Sequence, residues 1–190
     1  MQQPIVKRVS KAGSESLDLF SYQFQECREI WLTGEINATT AQGIISQLKY
    51  LDGTGSGEIT LYINSPGGSV ADGLAIIDAM RRCRCDVVTV GTGLAASMGA
   101  LILACGKRRL ATPLTDIMIH QPLGGVRGQA SDVAIMCEHI MKTRGRLNQL
   151  LADATGQTTE TIERCCDRDY HMDTEQALAF GIIDAILTGT

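Results

Sequence analysis

Ser97 stands in the run GTGLAASMGA (91–100), where nearly every neighbour is Gly or Ala. Residues 95–99 read Ala-Ala-Ser-Met-Gly, one residue away from the G-x-S-x-G elbow, which lifts a serine hydroxyl out of a strand-to-helix turn. At such a turn the free N–H groups and positive end of the new helix point at the hydroxyl. They would stabilise an oxyanion formed when the serine attacks a carbonyl. Small residues suit a closely packed buried helix equally well, so the motif needs support from elsewhere in the chain.

A second glycine-rich turn lies in INSPGGSV (63–70), where Gly67 and Gly68 can take backbone angles closed to other residues and admit a ligand to the main chain. If both turns leave the carboxyl ends of neighbouring parallel strands, their N–H groups face one crevice, the usual ligand site of α/β sheets. Gly68 and Met98 would then donate the two N–H groups of an oxyanion hole. Serine also needs a base, and the chain has 3 histidines. His139 falls within a long helical stretch and reads as packed or solvated; His171 follows Tyr170 in a loop. His120 ends the strand-like DIMIH just before Gln121-Pro122, so its ring can reach the same sheet edge, and it is the preferred base. The carboxylate that orients the imidazole is Asp167 or Asp169 in CCDRDY; either can instead pair with Arg168, and spacing does not separate them.

These groups need a scaffold, and the hydrophobic periodicity supplies one. Strands are expected at 28–33, 58–64, 86–92, 109–111, 116–120 and 182–187; helices at 39–51, 69–82, 97–105, 158–164 and 173–180. Asp173 and Gln176 form a capping box on the last helix and Gly181 stops it. A long helix begins near Ser131, with Val133, Met136, Ile140, Leu147 and Leu150 in one stripe and Ile135 and Met141 off it. That second apolar face implies burial either against another subunit or in the chain's own core. The βαβα rhythm predicts a mainly parallel sheet covered by helices.

The chain has 190 residues, 44% of them hydrophobic, which fits a single domain over 19–190 behind a polar, loosely ordered arm over 1–18. A net charge of −4 offers no general attraction to nucleic acid or anionic membrane. The 7 cysteines are odd in number and lack zinc-knuckle spacing, so no metal is expected and reduced thiols in the cytoplasm are. The first residues lack the apolar core of a signal peptide, and no run approaches a membrane span.

The stretches LYINSPGGSV, GLAASMGA, MIHQPLGG, RGQASD and DRD, in this order from Leu61 to Asp169, closely resemble the proteolytic subunit family of the Clp protease, ClpP. The resemblance implies an α/β, ClpP/crotonase-type fold of βαβ units with a protruding handle helix. It implies a Ser97-His120-Asp169 triad, which selects Asp169, and an oxyanion hole from Gly68 and Met98. Leu123, Gly124 and Gly125 would form a strand beside the bound peptide, whose backbone pairing tolerates many sequences. The handle would interlock two heptameric rings, and Gln129, Asp132, Asp167 and Arg168 match positions that link ring contacts to active-site order. Family members enclose their sites in a chamber and receive unfolded polypeptides from an AAA+ unfoldase of the ClpX, ClpA or ClpC type. That partner uses the ATP, so this chain is expected to need no cofactor.

The sequence also departs from the family pattern. The surface that receives a hydrophobic loop of the ATPase matches Thr60, Tyr62, Val90, Thr92, Leu110 and Thr112, and each threonine puts a hydroxyl where apolar area would be buried. Residues 20–24 lack the family's Tyr-Ser-Arg-Leu-Leu pattern, and the loop before Arg109 is shorter. The expectation is a serine endopeptidase, a divergent paralogue with weakened ATPase docking. The alternative is a poorly active regulatory subunit in mixed rings with a standard ClpP paralogue. A crotonase-like acyl-CoA enzyme shares the fold but needs no Ser-His-Asp set.

Overall fold

The computed structural model describes residues 4–10, 13–125 and 127–188. Ile5–Ser10 (β1) and Gly13–Asp18 (β2) pair antiparallel as a two-stranded sheet of their own, where a loosely ordered arm was expected. The pairing sets Val6 opposite Leu17, and the backbone groups satisfy one another along the ladder. Residues 1–3 and 11–12 of that arm lie outside the described residues. Leu19–Glu26 (α1) follows, capped by Asp18, whose carboxylate accepts the Ser21 N–H at 3.0 Å.

Glu29–Thr33 (β3), Ala38–Thr54 (α2), Ile59–Ser65 (β4), Val70–Arg82 (α3), Val87–Ala96 (β5), Met98–Ala104 (α4) and Arg108–Ala111 (β6) realise the expected alternation. The strands pair in parallel in the order β3-β4-β5-β6, and Ala185–Ile186 (β9), shorter than expected, extends the sheet beside β6. Along β4 the period of two is plain: Ile59, Leu61 and Ile63 are fully buried, while Thr60 and Tyr62 face the other side. Ile44, Leu48 and Leu51 of α2 and Ile76, Ile77 and Met80 of α3 close over that apolar face. Helix α4 is buried at every residue, as a helix with no polar face must be.

The feature that positions the site is a kink in β5. Ile63 pairs with Gly91, but Ser65 pairs with Ala95, so β5 carries extra residues at Thr92-Gly93-Leu94. Gly93 takes φ +66°, and Asn64 accepts the Leu94 N–H at 3.3 Å. The lower half of β5 pairs with β6 and the upper half turns to pair in parallel with Asp116–Ile119 (β7). Tyr170–Met172 (β8) then adds antiparallel to β7, the one reversal in an otherwise parallel sheet.

Ala130–Thr155 (α5) is a 26-residue helix whose buried residues, Leu147, Asn148, Leu151 and Ala152, all belong to its last third. Ile135, Met136 and Met141 are exposed, so the earlier turns stand clear of the core as a handle, and burial of the second apolar face within this chain is ruled out. Thr159–Cys165 (α6) and Thr174–Phe180 (α7), the latter with the expected Asp173–Gln176 capping box and Gly181 at φ +94°, complete the fold.

Candidate active site

Ser97 follows β5 and His120 follows β7, and these strand halves are hydrogen-bonded neighbours running the same way. The Ser97 N–H continues their ladder by donating to the Met118 carbonyl at 2.8 Å. Both side chains therefore emerge at one carboxyl edge, with His120 Nε2 2.9 Å from Ser97 Oγ. Asp169 arrives from the opposite direction: β8 pairs Tyr170 with Ile119, so the residue before Tyr170 falls beside the residue after Ile119. Its carboxylate lies 3.1 Å from His120 Nδ1. With the proton on Nδ1 donated to Asp169, Nε2 is left as the acceptor for the serine O–H. His120 is largely buried (14% exposed) and Asp169 open to solvent (66%), so water screens the carboxylate more than the imidazole.

The backbone at Ser97 is strained in the way a nucleophile elbow requires. It takes φ +56°, ψ −121°, and Ser97 and Arg28 are the two non-glycine residues with positive φ among the described residues. The α4 N-terminus gets no side-chain cap from Ser97, so its first N–H groups stay unclaimed. Against this turn packs the 66–68 loop: a Cβ on Gly67 would sit 2.7 Å from Ser97 Cβ and 3.1 Å from the Met98 nitrogen. Gly67 and Gly68 take φ +94° and +146°, and a Cβ on Gly68 would overlap the Ile36 carbonyl. Two bonds of 2.8 Å, Ile36 N–H to the Gly67 carbonyl and Ser69 N–H to the Ile36 carbonyl, lock this loop. Neither the Gly68 nor the Met98 N–H has an acceptor among the described residues.

Beside the serine is a cleft of about 30 Å³ walled by Val70, Met98, Leu101, Ile119, Pro122, Leu147 and Leu151. On the other side of His120 an open trough of about 420 Å³ runs past Gln121, Leu123, Asp167, Arg168 and Asp169. Val70, Leu101, Leu147 and Leu151 escape a reading of the sequence because their helical spacing is also that of core residues. Among the described residues no cluster of His, Cys, Asp or Glu has the arrangement to hold a metal ion.

A family model described as Clp protease matches residues 11–190. The chain belongs to the Clp protease family. The mixed α/β architecture with its mostly parallel sheet agrees with that family's fold, and membership supports a ClpP-type peptidase that works, in general, as oligomeric rings with an ATPase. No described helix is long and apolar enough to cross a membrane.

The remaining residues that the Clp protease resemblance singled out are placed less uniformly. Leu123, Gly124 and Gly125 form no strand, since a strand needs a partner and none of the described residues pairs with them; Leu123 is 86% exposed and Gly124 lies against Ile140 of α5. Gln129 occupies the N-cap position of α5 without a side-chain capping bond, Asp132 lies in the first turn, and neither bonds to Asp167 or Arg168 among the described residues. Asp167 and Arg168 are exposed and form a loose pair at 3.9 Å. His139 is exposed on α5, and His171 pairs with Asp116 at 3.1 Å.

On the sheet, Tyr62, Val90 and Leu110 fall in one cross-strand row that also contains Trp31, and Thr60 lies on the same face. Trp31 stacks on Tyr62 at 4.3 Å and is 40% exposed, an aromatic contribution that the sequence reading missed. Two of the three threonine hydroxyls are already satisfied within the chain. Thr92 donates to the Ile63 carbonyl at 3.3 Å, and Thr112 bonds to Thr115 at 2.9 Å. Their burial under a partner would leave no orphaned hydroxyl, which weakens the desolvation argument against docking.

Proposed function

We propose that this chain is a serine endopeptidase that hydrolyses peptide bonds of unfolded proteins inside a barrel of stacked rings, with substrate delivered by an AAA+ unfoldase. The observation that carries the proposal is the Asp169–His120–Ser97 relay, at 3.1 and 2.9 Å, beside two unclaimed N–H groups. Ser97 Oγ attacks the scissile carbonyl while His120 Nε2 takes its proton. The oxyanion points at the Gly68 and Met98 N–H groups, and His120 then protonates the leaving amine. Asp169 holds the imidazole in the productive tautomer and offsets its charge. Water enters as the second nucleophile, again through His120, and releases the acyl group.

The cleft walled by Val70, Leu147 and Leu151 suits a slender apolar side chain next to the scissile bond. The unpaired main chain at 123–125 suits an extended substrate strand. The exposed apolar turns of α5 suit ring stacking, and Trp31 with its stacked Tyr62 and the half-buried Leu110 suits an apolar loop of the unfoldase, whereas Val90 in the same row is buried at 2% exposed and offers such a loop no surface. A relay within hydrogen-bond distance in the single chain favours the active enzyme over a regulatory subunit with its triad out of register. The test is a fluorophosphonate probe on purified protein: Ser97 is labelled, Ser97→Ala is not, and failure of the lone protein to label removes the proposal. Labelling only after a paralogous subunit is added would favour the mixed-ring reading.

A further inference from the structure

The loop that brings Asp169 to the relay begins with two adjacent thiols. Cys165 is the last residue of α6 and is half-buried; Cys166 caps the helix and is 1% exposed. Both are reduced. The main chain here is the mechanical link between the loop and the base, because the Gln121 N–H donates to the Cys166 carbonyl at 2.7 Å and Gln121 Nε2 donates to the Asp167 carbonyl at 2.9 Å. Gln121 is the residue after His120, and these two bonds tie the exit of β7 to the segment that presents Asp169.

We propose that Cys165 and Cys166 are a peroxide-sensitive dithiol whose oxidation to a disulfide disarms the peptidase. The inference rests on the reading of Ser97, His120 and Asp169 as its active site. Cys165 is the accessible partner, and its thiolate attacks a peroxide oxygen; the O–O bond breaks, hydroxide leaves, and Cys165 becomes the sulfenic acid. Cys166 sulfur then attacks Cys165 sulfur, the S–O bond breaks, and the departing hydroxide takes the Cys166 proton and leaves as water. Two thiols and one peroxide become one disulfide and two waters.

Burial pushes the Cys166 thiol up to about 11, with the nearby Arg144 guanidinium pulling it partly back. It is therefore the resolving sulfur, not the first nucleophile. Arg144 Nε is buried without an acceptor, a cation available to the sulfur as it gives up its proton.

The consequence follows from covalent geometry. Adjacent Cα atoms are about 3.8 Å apart across a trans peptide, less than the roughly 4.4–6.8 Å that an ordinary disulfide spans. Closing the ring must therefore distort the Cys165–Cys166 peptide and re-aim the Cys166 carbonyl that holds Gln121. The strain also makes the bond easily reduced, the property of a reversible switch and not of a structural disulfide.

The experiment treats the full-length protein with hydrogen peroxide and follows two independent readouts. Mass spectrometry of the 165–166 peptide should show loss of two hydrogens, and the Gln121 amide should exchange faster with deuterium. Fluorophosphonate labelling of Ser97 should slow about a hundredfold, the scale of losing a positioned base, and thiol reductant should restore it. Cys165→Ser should label at the untreated wild-type rate and resist peroxide, while a Cys27→Ser/Cys137→Ser chain, lacking the two exposed thiols, should still be switched. Inactivation that persists in Cys165→Ser, or a disulfide that leaves labelling and Gln121 exchange unchanged, overturns the proposal. An untreated protein that does not label at Ser97 instead overturns the active-site reading, which the mass and exchange readouts keep separate.

Discussion

Replacing Gly68 with alanine tests whether the 66–68 loop is part of the chemistry or only a turn. The new Cβ would sit 2.2 Å from the Ile36 oxygen and 2.9 Å from its nitrogen, and Ile36 is fully buried, so the loop must yield. Moving it gives up the two 2.8 Å bonds to Ile36 and forces a side chain onto φ +146°. Backbone strain of about 1–3 kcal/mol and about 1 kcal/mol for each bond give a loss of roughly 3–5 kcal/mol, or about 6–20 °C in Tm for a domain of this size. The same displacement swings the Gly68 N–H off the oxyanion position, which should lower kcat by about 10²–10³ with KM little changed. Gly34→Ala is the control, since Gly34 is also at positive φ (+78°) but nothing lies within 4 Å of its Cβ; it should cost about 1–2 kcal/mol and leave kcat alone. The assays are differential scanning calorimetry and cleavage of a fluorogenic peptide below the variant's melting point. A Gly68→Ala chain that melts early yet turns over within threefold of wild type, at about 25 °C, would refute the assignment of that N–H.

Ser97→Ala and His120→Ala should each remove peptide cleavage by roughly a millionfold while leaving ring assembly, measured by sedimentation, intact. Trp31→Ala should leave small-peptide cleavage unchanged and reduce unfoldase-driven protein degradation, because it removes the exposed half of the ring stack on Tyr62; equal loss in both assays would place its effect in the fold. Arg109 bonds Asp184 and also the Ala154 and Gly181 carbonyls at 2.6 and 2.7 Å, and its hydrogen bond first of all holds the Asp184 carboxyl below its ordinary 3.8. A lowered folded value means the stabilisation is complete above pH 3.8 and disappears as pH falls through the lower folded value. With Asp184 40% exposed, Asp184→Asn should cost about 1 kcal/mol at pH 7 and progressively less as pH falls below 3.8, read from urea melts across pH.

Much of the site was legible because each part sits where one periodicity gives way to another. Ser97 and His120 mark strand ends, and Gly67-Gly68 a strand-to-helix turn, each announced by a local change of pattern. The choice between Asp167 and Asp169 was closed to that method. It depends on the register of β8, a strand of three residues that is too short to show a period and is fixed by pairing Tyr170 with Ile119. The extension of β5 to Ala96 was hidden for a related reason: Gly91-Thr92-Gly93 reads as a break, and only the neighbouring strand reveals a bulge that continues the pairing. Helix α1 has 8 residues, about two turns, and although Phe20 and Phe24 stand four apart this is too short a run to establish a period.

The three members of the relay are held with unequal firmness, and the inequality has a structural cause. Ser97 and His120 stand at the ends of strands bonded into the sheet interior, and the Ser97–Met118 bond joins them directly. Asp169 depends on a three-pair ladder with a strand at the sheet's rim, on the Gln121 bonds to residues 166 and 167, and on the exposed Asp116–His171 pair. An exposed side-chain pair contributes about 0–1 kcal/mol, so most of that anchorage falls to the β7–β8 ladder and the two Gln121 bonds. Any force on Asp167 or Arg168, both open to solvent at the tip of the same loop, therefore acts on the carboxylate before it acts on the serine or the base. Contacts made there by a neighbouring subunit would act on an Asp169 that the single chain already holds 3.1 Å from His120 Nδ1. A load on that loop would displace Asp169 while leaving the Ser97 turn and the 66–68 loop intact, because neither shares its anchorage.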